Sequence, residues 1–233
     1  MKNILDNFKN FKIDNKVFKP TGTSKLLLET SLKYIKKNHT VLDLGCGSGV
    51  IGISIAKKLN LNSKTYFSDI SRFACSNTIK NCKKMNIDFD VRKGSVFEPW
   101  KNMKFDVIVS DVAAIAEKVS MISPWYKNCI NGSGPDGTKH VLKILNNAKF
   151  FLKKKGFLII PVISLSNEKK IISKIKNKFK NYKKIQSQSW ILPTSMANKI
   201  IMLERLKKRG SIFFEKKLGI ITFKTDIYLM VNK

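Results

Sequence analysis

Three acidic residues stand where apolar runs end: Asp43 in VLDLGCG, Asp69 in TYFSDI and Asp111 in FDVIVSD. The first is followed by Gly45, Gly47 and Gly49. Glycines at such a place let the backbone approach a ligand with no Cβ in the way. Their spacing, G-x-G-x-G, is not the G-x-G-x-x-G of dinucleotide binding, because Val50 fills the later glycine place. A phosphate-cradling loop would need Lys-Ser/Thr after its last glycine, and that pair is absent. Asp43 would repel a pyrophosphate and tolerate a cation. Asp69, twenty residues after Gly49, falls where a carboxylate accepts hydrogen bonds from ribose hydroxyls. Together these residues suit a cofactor with a ribose, a positive centre and no phosphate. Asp111 then leads into a small apolar loop, Val112, Ala113 and Ala114.

Alternating strand and helix patterns must position these residues. Residues 40–47, 64–70, 88–94, 105–111 and 156–163 read as strands, the last two apolar enough to be buried on both faces. Between them SGVIGISIAKKL, SRFACSNTIKNCKKM with Ser71 as N-cap, GTKHVLKILNNAKFFLKKKG stopping at Gly156, and SNEKKIISKIKNKFKNY read as helices. The lysine run at 152–156 reads as the solvated end of the third of these. This order predicts an α/β fold with a doubly wound, mostly parallel, seven-stranded sheet. Residues 183–193 suit a strand, NKIIMLERLKKRG a helix, and 219–233 a closing, antiparallel strand. Residues 1–37 read as a leader with one helix at about 24–37, and 38–233 as the main domain, with 183–233 left to close the sheet or to build a substrate wall.

The chain has 233 residues and a formal net charge of +29. A basic surface of this kind fits contact with RNA or a ribosome, while codon bias toward Lys, Asn and Ile offers a compositional explanation. Only Arg72, Arg92, Arg205 and Arg209 are arginine, so specific phosphate or base readout is not indicated. Cys46, Cys75, Cys82 and Cys129 form no C-x-x-C pair, and His39 and His140 do not cluster with them; no metal site is expected. No apolar run approaches the ~20 residues of a membrane span, and the N-terminus lacks a signal-peptide core. A cytoplasmic location is the expectation.

VLDLGCGSG followed by FSD resembles the class I S-adenosylmethionine-dependent methyltransferases. VFKPTGTSKLLLE, GSVFEPW and GSGPDGTKHVLKIL narrow the resemblance to the small-domain branch, which includes the N5-glutamine methyltransferases of release factors and ribosomal proteins. It covers roughly residues 17–165. It implies S-adenosyl-L-methionine as cofactor, with Gly45, Gly47, Gly49 and Asp43 at its methionine end and Asp69 on its ribose. Thr23 would join the cofactor site. Ser95 stands where many relatives carry an adenine-reading Asp, so Ser95 or the Val96 backbone would serve there.

That branch holds a planar amide or amine in an Asn-Pro-Pro-aromatic loop. Here Asp111 would orient the acceptor with the Val112 carbonyl, the two prolines are gone, and Ala114 replaces the stacking ring. Trp125 and Tyr126 are substitute stacking groups or a local hydrophobic anchor. The resemblance implies methyl transfer to a nitrogen or oxygen nucleophile. The methyl acceptor is a translation-related protein, an RNA or a small molecule, and a non-catalytic cofactor-binding module is the alternative.

Overall fold

The computed structural model describes residues 8–112, 115–127, 129 and 132–233. The first half runs α1 (Gly22–Ser31), β1 (Val41–Leu44), α2 (Val50–Leu59), β2 (Thr65–Asp69), α3 (Arg72–Lys84), β3 (Phe89–Lys93) and β4 (Phe105–Val109). The second runs α4 (Glu117–Met121), α5 (Lys139–Phe151), β5 (Leu152–Ile163), α6 (Glu168–Lys178), β6 (Asn181–Ile191), α7 (Thr194–Ala197), α8 (Ile200–Lys208), β7 (Glu215–Lys217) and β8 (Ile220–Val231).

The sheet order is β3-β2-β1-β4-β5-β8-β6. The first five strands run parallel, and β8 runs antiparallel to both of its neighbours. Every residue of β1 is buried, as a central strand covered on both faces requires. On one face Leu42, Ile108, Leu158 and Met230 pack with Ile144 and Leu145 of α5 and Ile171 and Ile175 of α6. On the other, Val41, Val107, Ile159 and Ile227 pack with Leu27 of α1 and Ile51 and Ile55 of α2.

Local chemistry sets the helix starts. The Ser71 hydroxyl accepts the Ala74 N–H at 3.4 Å, and Asn167 Oδ1 accepts the Lys170 N–H at 3.1 Å. The segment before α1 is fastened to α3 by two buried asparagines. Asn77 and Asn81 each donate to the Lys12 carbonyl at 2.8 Å, and they accept the Asp14 and Lys12 N–H groups at 3.0 Å.

Three expectations need correction. The sheet has eight strands rather than seven, because Glu215–Lys217 folds back on β8. Leu218 and Gly219 make the turn at φ 48° and 77°, the positive dihedrals of a tight hairpin. The lysine run 152–156 is strand, not helix end, and α5 stops at Phe151 instead of Gly156. Leu152 already pairs with Phe105, Lys153 Nζ lies 2.8 Å from Asp106 Oδ2, and the register shifts before Val107 pairs with Phe157. The leader helix ends at Ser31, where the Lys33 and Tyr34 N–H groups bond to the Thr30 and Ser31 carbonyls in a tighter turn.

A further apolar cluster lies off the main sheet faces. Leu192, Met196, Leu203, Leu206, Ile212 and Phe214 pack with Ile115, Ala116 and Val119. The region between β6 and β8 therefore supports residues 115–119. Among the described residues, no helix is long and apolar enough to cross a membrane.

Candidate active site

β1, β2 and β4 deliver Asp43, Asp69 and Asp111 to one edge of the sheet. In open α/β sheets, ligands bind at the carboxyl ends of the strands, where the strand order reverses; here that place lies between β1 and β4. The glycine loop is pinned to β2: the Gly45 and Cys46 N–H groups bond to the Ser68 carbonyl at 2.8 and 3.0 Å. From α3, Thr78 Oγ1 donates to the Gly47 carbonyl at 3.0 Å and Asn81 Nδ2 to the Ser48 carbonyl at 2.8 Å. Gly47, at φ 56°, has open space where a Cβ would stand. At Gly45, φ 75°, a Cβ would run into Cγ1 of Val112. The loops after β1 and β4 thus touch through a glycine that cannot be replaced without moving one of them.

The three acids differ in surroundings. Asp43 is 2% exposed and accepts the Gly52 N–H at 2.8 Å, tying β1 to the first turn of α2. Burial pushes its carboxyl up to about 7 against that bond, and the charges of Asp111 and Asp69 push the same way. Asp69 accepts the Gly47 N–H at 3.0 Å and the Ser71 N–H at 2.8 Å, one on each oxygen. Burial raises it too, while these backbone bonds oppose the rise. Asp111 is half-buried as a residue, and burial pushes its carboxyl up to about 7, opposed by the Ser24 hydroxyl, which donates to Oδ2 at 2.6 Å.

The expected acceptor residues fall in different places. Ala114 lies outside the described residues. Val112 is half-buried and packs against the α5 side of the core. Trp125 lies against Phe223, ring centroids 5.5 Å apart, within the apolar cluster of the β6–β8 region. Tyr126 lies 4.9 Å from the Phe18 ring; burial pushes its phenol up, and the Asp111 charge pushes the same way. Beside it opens a cavity of about 440 Å³ lined by Glu117, Ser120, Met121, Tyr126, Lys127 and Ser195, among others.

Of the expected cofactor residues, Thr23 is buried against β8, its hydroxyl 3.2 Å from that of Thr225. Ser95 accepts a hydrogen bond from Lys143 Nζ at 2.8 Å, and its N–H donates to Glu98 Oε2 at 3.1 Å. Val96 stands at φ 53°, a strained conformation for a β-branched residue. Sequence reasoning missed Ser24, buried in the first turn of α1. The bond from the Ser24 hydroxyl to Asp111 had no local signal, because the two residues are 87 apart.

The residues present suit the expected cofactor. Gly47 leaves room for a ligand, Asp69 retains lone pairs beyond its two backbone donors, and the converging carboxylates favour a cation over a phosphate.

Comparison with known proteins agrees. The family model described as a methyltransferase domain matches residues 35–216. A Methanocaldococcus jannaschii protein carrying the provisional name protein N5-glutamine methyltransferase is 30% identical over 165 residues, 71% of this chain and 81% of that one. A release factor glutamine methyltransferase of Borreliella burgdorferi is 32% identical over 158 residues, 64% of this chain but only 54% of the relative. The crystal structure of a ribosomal protein L11 methylase from Lactobacillus delbrueckii subsp. bulgaricus superimposes with a TM-score of 0.54 at 18% identity, covering 93% of this chain and 83% of that one. With most of its length matched by the family model, and with the glycine loop and acidic strand ends in place, the chain belongs to the methyltransferase-domain family, the class I S-adenosylmethionine-dependent enzymes.

Proposed function

We propose that this enzyme methylates a nitrogen nucleophile, an amide or amine, held at Asp111, with an oxygen nucleophile as the alternative. The observation that carries the reading is the junction of the two loops. Val112 rests on Gly45, so Asp111, the residue before it, is fixed beside the cofactor loop. S-adenosylmethionine, when bound, supplies an electrophilic methyl group on a sulfonium. Asp69 would hold the ribose hydroxyls, Asp43 would fix the loop through α2, and Gly45, Gly47 and Gly49 would line the methionine end. Ser95 and the Val96 backbone would face the adenine, and Thr23 would shape the site from α1.

Asp111 would accept an N–H of the acceptor and turn its electron pair toward the methyl group. Catalysis on this scheme is mostly positioning in a site screened from water. The acceptor nitrogen gains a methyl group and gives up one proton. The Asp111 carboxylate, kept charged by the bound cofactor's positive centre, can receive that proton. Val112 would offer its carbonyl to the same acceptor, and Tyr126 would flank it, with Trp125 anchoring the wall behind.

The favoured substrate is a translation-related protein or an RNA, met in the cytoplasm. The +29 charge draws polyanions, and a ribosome or RNA contact would bring the acceptor to the acidic cleft. Relatives named for release factor and L11 methylation point to the same class, which comes to this chain only as part of the proposal. The cavity beside Tyr126 supports a second reading, a small-molecule acceptor, because its volume is of ligand size.

The test is methyl transfer from labelled S-adenosylmethionine into extract of source cells lacking this protein, with products split by protease, by RNase and by size. Label in a protease- or RNase-sensitive fraction supports the favoured reading; label among small molecules supports the second. No label in any fraction, from protein that still binds the cofactor, would leave a non-catalytic binding module. Asp111→Ala should abolish the label, and undiminished turnover in it would remove the proposed role of Asp111.

A further inference from the structure

The first turn of α1 reaches across the cleft entrance to the loop after β4. Ser24 is 2% exposed, so water does not compete for its hydroxyl. That hydroxyl oxygen accepts the Thr21 N–H at 3.1 Å. Its single proton is then directed at Asp111 Oδ2, 2.6 Å away, the length of a strong bond to a carboxylate. Among the described residues, Asp111 Oδ1 has no hydrogen-bond partner.

The turn that carries Ser24 is itself held by the far end of the sheet. Trp190 of β6 lies over Gly22 so closely that a Cβ there would stand 2.7 Å from Cζ3 of the ring. The Trp190 indole N–H donates to Thr225 Oγ1 at 3.1 Å, and Thr225 Oγ1 meets Thr23 Oγ1 at 3.2 Å. β6 and β8 therefore fix the first turn of α1, and that turn holds one oxygen of Asp111.

We propose that Ser24 is a positioning residue of the acceptor site: it occupies Oδ2 of Asp111 and so presents Oδ1 to the N–H of the methyl acceptor. The role rests on the reading of Asp111 given above. It also gives Trp190 and Thr225 a purpose in catalysis that neither has by contact with substrate.

The test is an NMR titration of the Asp111 carboxyl carbon in the full-length protein, as wild type, Ser24→Ala, Ser24→Cys and Ser24→Thr. A hydrogen bond to the charged form favours that form. Its loss in Ser24→Ala should raise the Asp111 midpoint by about one pH unit, a tenfold change. Ser24→Cys, a weaker donor, should shift it part of the way, and Ser24→Thr should restore it. In turnover, the acid limb of the kcat profile should move with the midpoint, while cofactor affinity above pH 8 stays within about threefold. Fraying of the helix alone would lower the melting temperature without moving the midpoint. An unchanged midpoint in folded Ser24→Ala or Ser24→Cys overturns the proposal. A shifted midpoint in a protein that transfers no methyl group leaves the Ser24–Asp111 pair standing and removes the acceptor role built on it.

Discussion

Lowering the pH from 8 to 6 should weaken S-adenosylmethionine binding by about tenfold to about a hundredfold. Asp43 and Asp111 both sit near 7 because burial disfavours their charged forms. A cationic ligand favours those charged forms, so the empty site must release protons as it binds. A group with a midpoint near 7 imposes a factor of about 1.1 at pH 8 and about 11 at pH 6. One such group gives about tenfold across the interval; two acting independently give about a hundredfold. The assay is isothermal titration in buffers of different ionisation enthalpy, which reads affinity and proton release together. Asp111→Asn should remove one of the two increments and its share of released protons. The stability of the free protein runs the other way. Both carboxyls have folded values raised above their ordinary ones, so their contribution is fully present below about 4 and is lost as pH rises through about 7. The cofactor-induced rise in melting temperature should therefore grow with pH. Affinity that is flat from pH 6 to 8, with no proton release, would refute the claim that these carboxyls face the ligand's positive charge.

Asp69→Ala should weaken cofactor binding by about tenfold to a hundredfold, the worth of charge-assisted bonds to the ribose, measured by the same titration. Gly137→Ala should cost about 2–4 kcal/mol in denaturant unfolding, because its φ is 74° and a Cβ would stand 2.6 Å from the Ile115 carbonyl carbon and 2.7 Å from the Ala116 nitrogen. Asn81→Ala should cost about 2–3 kcal/mol by orphaning the buried Ser48 carbonyl and removing the acceptor of the Lys12 N–H, with limited proteolysis near residue 12 as the second readout. Asp111→Ala should raise the melting temperature by a few degrees at pH 8 and not at pH 4, since its raised carboxyl destabilises the fold only when charged; scanning calorimetry at the two pH values decides it.

The glycine loop and the acidic strand ends were legible because their signals are local. A buried apolar run, an acid and a glycine turn occupy a few adjacent residues, and topology carries them to one edge. The lysines at 153–155 misled for a physical reason. Lysine suits a solvated helix end as well as a bulged strand, and only the pairing of Leu152 with Phe105 decides between them. The hairpin at Leu218 was hidden for a similar reason, since a leucine at positive φ is not a sequence cue for a turn. Ser24, Trp190 and Thr225 could not be linked from sequence. Their contacts join α1 to β4, β6 and β8, and nothing in the intervening chain marks them as partners.

The loop after Asp111 lacks the two prolines of the branch it resembles, but rigidity has other sources. On one side Val112 bears on Gly45. On the other, the Ser133 hydroxyl donates to the Ile115 carbonyl at 2.6 Å and the Ala116 N–H to the Leu165 carbonyl at 2.8 Å. These contacts hold Val112, Ile115 and Ala116 by packing and hydrogen bonds rather than by proline. The acid at 111 bears on the same question. A carboxyl pushed up to about 7 is a burden on the fold at neutral pH, and alanine or asparagine there would remove it. A protein reduced to cofactor storage gains nothing from that burden, whereas an acceptor site needs a group that binds an N–H on one oxygen while the protein holds the other. The Ser24 bond to Asp111 supplies that arrangement, which favours altered chemistry over lost chemistry.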